Sequence, residues 1–336
     1  MTRTLRPVPT APRWARRPNP ADLVLAASAL LLGLLMALHA LIPNRIGGLG
    51  SLVETFLPWF GLAVPVLLAG ALWRRSATAV VALLVPALVW LNLFGGQLVD
   101  TSRTEGALTV VSHNVGAGNP DPVGTAADLV ASGADVLALQ EVAADARGVY
   151  ERELAQAYPY HTVVGTVGLW SRTPLSDTRP VDTRMDVGPL GEAKPVEETM
   201  GYNRALRATV ATDQGPLAVY VAHLGSVRVL PRGGFRTDDR DRGAQALAEA
   251  VAAEPNERVV LFGDLNGAMD DRAFDGLTAH LDPVQDTAGS GFDFSWPAGF
   301  PMVRLDQILV RGVEAEDAWV LPATGSDHRP VAAAFG

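Results

Sequence analysis

Cysteine is absent from this 336-residue sequence, and charged residues make up only 19% of it. The absence of thiols excludes disulfide bonds, zinc–thiolate sites and catalysis by a thiol nucleophile. Basic residues are scarce after residue 100, where 33 acidic residues outnumber 19 basic ones and give a net charge of −14. Because binding to a long polyanion depends on Lys and Arg replacing counterions, this composition argues against nucleic acid as the main partner.

Apolar residues make up 48% of the sequence and are concentrated in the first hundred positions. Three apolar runs there, at 22–42, 52–73 and 77–99, are each about 20 residues long, which is the length that a helix needs to cross a bilayer core. A cleaved signal peptide would account for one such run but not for three. We therefore predict three transmembrane helices, followed by a linker at 100–106 and a separate domain at 107–336.

The distribution of arginine predicts the orientation of these helices. A short Arg-rich tail at 1–21 precedes the first run, and Arg74 and Arg75 lie in the link between the second and third runs. The link between the first and second runs carries only Arg45. The positive-inside rule places the tail and the second link in the cytoplasm. Three crossings then place the C-terminal domain outside the membrane.

The C-terminal domain alternates between short apolar strands and helices. The predicted strands are 108–112, 136–139, 160–165, 167–171, 205–211, 217–224, 258–263, 303–310 and 329–335, and the predicted helices are 123–132, 144–157, 238–253 and 270–279. Two stretches, 176–200 and 225–237, are interpreted as surface loops. Strands with interspersed helices predict an α/β or α+β domain with a sheet at its centre.

Polar side chains follow the strands of this domain at the points where the strands end. In the stretch 259–267, Asp264 and Asn266 come two positions apart after a buried strand, so extended backbone would point them to the same face. A plain turn explains this stretch alone equally well. The other strand ends carry Asn114, Glu141, His223, Asp306 and the group Ser326-Asp327-His328. Six such ends are hard to explain as turns, and strand ends converge on one rim of a sheet, so we predict a ligand site there.

Seven motifs on these strands occur in a recognisable order. They are Ser-His-Asn-Val at 112–115, Leu-Gln-Glu-Val at 139–142, Gly-Leu-Trp-Ser-Arg at 168–172, Ala-His-Leu at 222–224, Gly-Asp-Leu-Asn at 263–266, Arg-Leu-Asp-Gln-Ile-Leu-Val at 304–310 and Ser-Asp-His-Arg-Pro at 326–330. Together they resemble the successive signatures of the endonuclease/exonuclease/phosphatase superfamily. The resemblance implies a four-layer α/β/β/α sandwich, preceded here by three transmembrane helices, and metal-dependent hydrolysis of phosphate esters. The superfamily includes nucleases, sphingomyelinases and inositol phosphatases, so it does not define the substrate.

The resemblance and the chemistry of the side chains together assign roles. Glu141 is the expected ligand of Mg²⁺, for which Mn²⁺ could substitute, because hard cations prefer oxygen ligands. Asn114 and Asp327 complete this predicted metal site. Asp264 aligns or deprotonates the attacking water, and Asn266 holds the water or a phosphate oxygen.

Two histidines and two arginines complete the predicted site. His328 takes Asp306 as the carboxylate that orients its imidazole. His223 donates to the phosphate or to the leaving oxygen. Arg207 and Arg172 are candidate phosphate contacts, because a guanidinium fork matches phosphate geometry; an ordinary ion pair explains each of them equally well.

Two further groups of charges are interpreted as solvated. Glu54 lies near the outer end of the second apolar run and is interpreted as a surface acid. Arg236, Arg240 and Arg242 alternate with aspartates at the start of a predicted helix, a pattern typical of an exposed first turn.

The apolar runs and the acidic domain together favour a substrate in the bilayer, because tethering raises the effective concentration of any such substrate. The layout also resembles a membrane-anchored bacterial branch of the superfamily. That resemblance implies hydrolysis of a lipid-linked phosphate such as undecaprenyl pyrophosphate, and through it resistance to teicoplanin. Two alternatives stay open: a membrane-tethered extracellular phosphodiesterase of the nuclease or sphingomyelinase type, and a non-catalytic envelope binding protein. No protein partner is predicted.

Overall fold

The computed structural model describes residues 19–102, 106–183 and 204–336. The chain divides into two compact units. The first unit comprises Met1–Ile42 and Phe56–Gly96, and the second comprises Pro43–Thr55 and Gln97–Gly336. Most of the predicted Arg-rich tail and most of the predicted loop at 176–200 lie outside the described residues.

The first unit consists of short apolar helices. They are α1 (Pro20–Ala37), α3 (Ala63–Trp73), α4 (Ala77–Ala82) and α5 (Leu84–Phe94). Asn19 caps α1, since its side chain accepts a hydrogen bond from the Asp22 backbone N–H while Asp22 accepts one from the Asn19 backbone. Small residues, Ala29, Ala71 and Ala79, form the buried contacts between the helices.

Two helices, Pro20–Ala37 and Ala77–Leu98, are long and apolar enough to cross a membrane. A third span exists only if Leu49–Thr55 and Leu57–Trp73, a pair that is bent at its break, are counted as one. The second apolar run is therefore not the single helix that we predicted. Pro58, which has no backbone N–H to donate, lies in the 3₁₀ turn that follows the break.

The second unit contains fourteen strands among the described residues. The strands are β1 (Leu108–Asn114), β2 (Val136–Gln140), β3 (Tyr160–Val164), β4 (Val167–Ser171), β5 (Leu175–Pro180), β6 (Ala205–Thr212), β7 (Gly215–His223), β8 (Arg228–Leu230), β9 (Gly234–Arg236), β10 (Val259–Asp264), β11 (Asp282–Pro283), β12 (Asp306–Arg311), β13 (Ala315–Val320) and β14 (Val331–Phe335). The helices of this unit are α2 (Leu49–Thr55), α6 (Pro122–Ala131), α7 (Ala144–Leu154), α8 (Asp238–Ala252), α9 (Asp275–Thr278) and α10 (Val284–Ala288).

The strands form two six-stranded sheets and one small hairpin. The first sheet has the order β13-β14-β1-β2-β4-β3, the second has the order β11-β12-β10-β7-β6-β5, and β8 pairs with β9. β1 is parallel to β2, and β7 is parallel to β10, while the other pairs are antiparallel. The parallel pairs bring the ends of β1, β2, β7 and β10 to defined edges of their sheets.

Three hydrophobic cores separate four layers. The central core joins the inner faces of the two sheets, with Val110 from β1 and Val260 from β10 among its members. A second core packs the first sheet against α6 and α7, and a third packs the other sheet against α8 and α9. Alternating side chains supply the inner and outer cores of each sheet. The α/β/β/α sandwich expected from the resemblance is confirmed.

Two stretches that we interpreted as loops contain strands. β5 begins at Leu175, and the hairpin of β8 and β9 occupies most of 225–237. Both are polar and largely exposed, so their side chains do not alternate in hydrophobicity. Backbone pairing with a neighbouring strand, which the sequence pattern does not report, decides their structure.

Candidate active site

Side-chain alternation points polar groups into the space between the two sheets. In β10, Val260 and Phe262 belong to the central core, so Asp264, two residues further on, points to the same side. The same reasoning applies to the last residue of β1 and of β7 and to the first residue of β12. These residues are Asn114, His223 and Asp306, and all of them are buried. The predicted convergence of strand ends on one rim is therefore present.

Strand register brings three of these groups side by side. Asp264 is the direct partner of His223 in β7 and of Asp306 in β12. Gly263 makes this approach possible, because a Cβ at Gly263 would collide with the carbonyl oxygen of Ala222. The centre of the second sheet therefore presents two carboxylates and an imidazole from adjacent strands.

The Oδ2 atom of Asp264 is the centre of the cluster. The Asn114 side-chain amide donates to it at 2.9 Å, and His223 Nε2 and His328 Nε2 each lie 3.7 Å from it. Burial raises the pKa of Asp264 to about 7, an effect that the charge of His328 partly offsets. A carboxylate with such a pKa can accept a proton near neutral pH.

Glu141 follows β2 in the left-handed backbone region, with φ of 58°, which a residue with a Cβ rarely adopts. Its Oε2 accepts a hydrogen bond from the Ala117 backbone N–H at 2.8 Å, and its Oε1 accepts one from Asn114 at 3.2 Å. Burial would raise the pKa of Glu141, but the hydrogen bonds from Ala117 and Asn114 outweigh burial and lower it below its usual value. Glu141 is therefore anionic at neutral pH.

His328 pairs with Asp306, as predicted. The Nδ1 atom of His328 lies 2.8 Å from Asp306 Oδ2. Burial alone would lower the pKa of His328, but Asp306, together with Asp264 and Asp327, raises it to about 10. The imidazole is therefore a cation at neutral pH, with Nε2 directed at Asp264.

Two serines hold this pair in place. Ser326 Oγ donates to the Asn114 carbonyl at 2.7 Å and accepts a hydrogen bond from the His328 backbone N–H at 3.1 Å. Ser295 Oγ accepts a hydrogen bond from the Asp306 backbone N–H at 3.2 Å. Sequence reasoning missed Ser295, because it lies in an irregular segment with no strand end beside it.

His223 is buried and neutral. Burial, followed by the charge of Arg204, lowers its pKa to about 3. Neither ring nitrogen has a hydrogen-bond partner among the described residues, although Nε2 lies 3.6 Å from Glu141 Oε1. An unpaired imidazole in a buried site can donate to a substrate oxygen through one N–H.

Asn266 also adopts a left-handed conformation, with φ of 53°. Its backbone N–H donates to Asp264 Oδ1 at 3.0 Å, and its side-chain amide donates to the Leu224 carbonyl at 3.1 Å. Asn266 therefore fixes the orientation of the Asp264 carboxylate and joins its loop to the end of β7.

Asp327, a predicted metal ligand, is exposed beside this cluster. Its Oδ2 atom accepts a hydrogen bond from the Trp296 indole at 3.4 Å, and its backbone carbonyl accepts one from the Ala298 N–H at 2.7 Å. Asp327 thus ties the segment around Trp296 to the site. Its role as a metal ligand stays a prediction.

The sequence matches the Endonuclease/Exonuclease/phosphatase family over residues 111–328. The chain belongs to this family. The matched range includes Asn114, Glu141, Asp264 and His328. No curated protein sequence matches the chain.

Solved structures of other proteins share the sandwich fold. TDP2 from D. rerio, humanised by 14 mutations, superposes with a TM-score of 0.54 at 19% identity, covering 68% of this chain and 98% of that one. An endonuclease/exonuclease/phosphatase from Bacteroides vulgatus has a TM-score of 0.54 at 17% identity, covering 70% of this chain and 99% of that one. The beta toxin of Staphylococcus aureus has a TM-score of 0.50 at 18% identity, with 67% and 99% covered. At these identities the similarity establishes the fold alone.

Members of the endonuclease/exonuclease/phosphatase family use divalent metal ions, and the donor set of this site fits such an ion. Three acids, Glu141, Asp264 and Asp306, lie in this cluster. Only one of its two histidines, His328, is a cation, so the site has an excess of negative charge that a hard cation would neutralise. Glu141 Oε1 and the amide of Asn114 lie together at the partly exposed side of the cluster.

A second donor set also exists in the described part of the chain. Ligand atoms of Asp264, Asp306 and His328 lie within 4.8 Å of one another. The Nδ1 atom of His328 lies 2.8 Å from Asp306 Oδ2, so a metal ion bound at that nitrogen would replace this contact. Glu141 with Asn114 stays the predicted metal site, beside this second set.

In the structure, Arg207 and Arg172 each form the ordinary ion pair that the sequence left as the alternative. The side chain of Arg207 is 4% exposed, and its Nε and Nη2 each donate to Glu254 at 3.0 Å. Arg172 pairs with Asp135 at 3.3 Å, just before β2 begins and so at the opposite end of the sheet from Glu141. Arg204, which sequence reasoning missed, is the arginine whose charge acts on His223; it directly precedes β6.

We expect the pair of Arg207 and Glu254 to be structural. Burial would raise the pKa of Glu254, but Arg207 and Tyr220 hold it at about 2, against 4.5 for a free carboxyl. Because the folded state has the lower pKa, this stabilisation is complete above pH 4.5 and is lost as the pH falls towards 2.

Glu254→Gln should therefore lower the free energy of unfolding by about 3 kcal/mol at pH 7 and the Tm by roughly 10 °C. Thermal unfolding of the full chain in detergent at pH 7 and at pH 3 provides the measurement. The exposed Glu257→Gln is the control and should leave the Tm unchanged. Equal melting of the two variants at pH 7 would show that the buried pair contributes nothing.

Proposed function

We propose that this chain is a membrane-anchored, Mg²⁺-dependent phosphohydrolase that cleaves a lipid-linked phosphate, such as undecaprenyl pyrophosphate, outside the membrane. The observation that carries the hydrolase assignment is the contact of Asp264 Oδ2 with Asn114, His223 and His328. This arrangement places a proton acceptor, a neutral donor and a fixed cation around one point. Proton transfer by a positioned base and stabilisation of developing charge by fixed donors both accelerate phosphate hydrolysis.

The chemistry follows from the protonation states of these residues. Asp264 takes a proton from the attacking water. At the same time the water oxygen bonds to phosphorus, and the bond between phosphorus and the leaving oxygen breaks. The His328 cation stabilises the charge on the phosphoryl oxygens, and the N–H of His223 donates to the leaving oxygen. Mg²⁺ held by Glu141 and Asn114 would neutralise phosphate charge.

Exposed aromatic side chains beside this site support a lipid-linked substrate. Phe300 is 69% exposed and Trp296 is 37% exposed, and the segment that carries them is hydrogen-bonded to Asp327. Apolar helices of membrane-spanning length lie in the same chain. Aromatic rings at the mouth of the site would contact the hydrocarbon next to a lipid phosphate.

The overall layout supports a role in the cell envelope. An Arg-rich tail, apolar helices and a phosphohydrolase domain resemble the arrangement in the bacterial teicoplanin-resistance protein VanJ. We infer that hydrolysis of the lipid carrier outside the membrane recycles it for envelope synthesis and thereby contributes to glycopeptide resistance. The predicted cytoplasmic N-terminus and external domain are part of this proposal. An enzymatic reporter fused after residue 336 should be active only on the external side.

Phosphate release by the detergent-purified full chain tests the proposal. The substrates are undecaprenyl pyrophosphate, single-stranded DNA and sphingomyelin, each with Mg²⁺ and with chelator. We expect metal-dependent release from the prenyl pyrophosphate and none after His328→Ala. If only DNA or sphingomyelin is hydrolysed, the active-site assignment stands and the lipid-carrier substrate is wrong.

A nucleic-acid substrate is the second candidate. A structure of D. rerio TDP2 contains a single-strand DNA product and superposes with a TM-score of 0.53. In this chain, Arg228 and Arg236 lie opposite each other in the β8–β9 hairpin, a like-charge pair that an anionic partner would stabilise. The net charge of −14 after residue 100 opposes this candidate.

Phe300→Ser should separate lipid from water-soluble substrates. Burying this ring against hydrocarbon is worth up to about 2 kcal/mol, so its loss should lower kcat/KM for undecaprenyl pyrophosphate roughly tenfold. Turnover of a water-soluble phosphate ester should stay within twofold. Tyr160→Ser, which changes an exposed ring on β3, is the matched control. Equal losses on both substrates would contradict a lipid-contact role.

A further inference from the structure

Residues 43–55 lie between two apolar segments of the sequence, yet they belong to the same compact unit as the candidate active site. We call Pro43–Thr55 the docking segment. It includes α2, and its contacts with the rest of that unit involve charged side chains that are buried. The catalytic unit is therefore assembled from two separate stretches of the chain.

Glu54 is the first anchor of the docking segment. Its side chain is fully buried, and both of its oxygens accept from Arg272 Nε at 3.1 Å. The Arg272 backbone N–H also donates to Glu54 Oε2 at 3.3 Å. A buried carboxylate with such partners cannot be the surface acid that we predicted, because breaking the pair would leave an uncompensated charge.

Arg240 is the second anchor, and it is 1% exposed rather than solvated as we predicted. Its Nη2 donates to Ser51 Oγ at 3.2 Å and lies 2.7 Å from Asp271 Oδ2. Asn44 fixes Ser51, since its amide donates to Ser51 Oγ at 2.9 Å and accepts from the Ser51 backbone at 2.7 Å.

Backbone contacts join the docking segment to the β8–β9 hairpin. The Phe235 N–H donates to the Gly47 carbonyl at 2.8 Å. A Cβ at Gly48 would collide with the Phe235 carbonyl, so glycine is required at this close approach. The segment is thus held along its length and not only at its charged side chains.

The second anchor reaches the candidate active site. Arg240 Nη1 lies 3.5 Å from the Asn266 carbonyl, and a Cβ at Gly267 would lie 2.9 Å from the same nitrogen. Asn266, with its left-handed backbone, orients the Asp264 carboxylate through its N–H. Arg240 therefore packs under the loop that sets the position of the proton acceptor.

We propose that the docking segment is a positioning element of the active site, in which Ser51 and Glu54 hold Arg240 and Arg272 so that the loop from Asp264 to Gly267 keeps its shape. The activity test of this proposal rests on the proposed hydrolase function. Thiol labelling tests the docking of the segment and does not depend on that function.

Glu54→Gln in the full chain provides the activity test. It keeps the side-chain shape and removes the charge, so kcat should fall about tenfold while KM for the same substrate stays within twofold. Arg272→Gln should have a similar effect, and the double variant should lose no more than either single variant. Glu151→Gln, in an exposed pair with Arg147, is the matched control and should retain full activity.

Unchanged kcat in Glu54→Gln would overturn the positioning role. Equal changes in kcat and KM, or additive losses in the double variant, would also contradict it. A wild-type chain that releases no phosphate from any substrate would count against the proposed function, and the thiol measurement below would then decide whether the segment docks.

The absence of cysteine allows docking to be measured by thiol labelling. Thr55→Cys places one thiol at a buried position that is 6% exposed, and Ile46→Cys places one at a position of the same segment that is 59% exposed. With a water-soluble maleimide, the Thr55→Cys variant should react at least tenfold more slowly than the Ile46→Cys variant. Adding Glu54→Gln should accelerate labelling at position 55 only. Equal rates at both positions in the parent chain would show that the segment is not docked.

Discussion

Asp264→Asn is expected to lower kcat by about a thousandfold or more. Asparagine has nearly the same shape as aspartate, so the strands and their register should be retained. What is lost is the oxygen that accepts from Asn114 and lies 3.7 Å from both His223 and His328. The variant can neither accept a proton from water nor balance the His328 cation.

Single-turnover phosphate release with saturating Mg²⁺ measures this effect directly, because it separates the chemical step from product release. Asp282→Asn, at an exposed position of β11, is the matched control and should keep the wild-type rate. A variant at position 264 that retained a tenth of the wild-type rate would show that another group accepts the proton.

Removal of divalent metal should abolish turnover, and Glu141→Gln should raise the Mg²⁺ concentration at half-maximal rate by more than tenfold. Glu141 is anionic, partly exposed and adjacent to Asn114, so it provides the oxygen ligand that a hard cation needs. The measurements are Mg²⁺ titration of the rate and calorimetric titration of Mn²⁺ binding. Glu153→Gln, an exposed change, is the control.

The comparison with Asp306→Asn distinguishes the two possible donor sets. If Glu141 and Asn114 hold the metal, Asp306→Asn should lower the rate through His328 and leave the Mg²⁺ requirement unchanged. If Asp264, Asp306 and His328 hold the metal, Asp306→Asn should weaken Mn²⁺ binding, and Glu141→Gln should leave the Mg²⁺ requirement unchanged. The two variants therefore decide between the sites whatever the substrate is.

The part of the site that could be predicted is the part that strand periodicity controls. Asp264, His223 and Asp306 each end or begin a strand whose other inward residues are apolar, so their common direction follows from alternation. Asn114 shares the inward side of β1 with Val110 and is found in the same way. The pairing of His328 with Asp306, which the sequence analysis expected, is present in the structure.

The sequence was least informative where a side chain's partner is distant along the chain. Arg207 lies on a strand near the site, but it points to the outer face of its sheet, where Glu254 meets it from the end of α8. The sequence around Arg240 is typical of a solvated helix start. Its burial depends on a contact with Ser51, which lies 189 positions away. Local patterns contain no information about such contacts, whereas Arg204, just before β6, could have been found from its position at the rim.

The separation of Glu54 from Arg272 by 218 positions has a consequence during translation. At typical rates of synthesis, Glu54 leaves the ribosome about 10 to 40 s before its partner exists. The nascent chain must therefore keep an unpaired acid between two apolar segments until α8 and the turn before α9 have been made. The ion pair between Glu54 and Arg272 would therefore form late in folding. Substitutions at Arg272 should lower the yield of folded chain more than they lower the stability of the molecules that do fold.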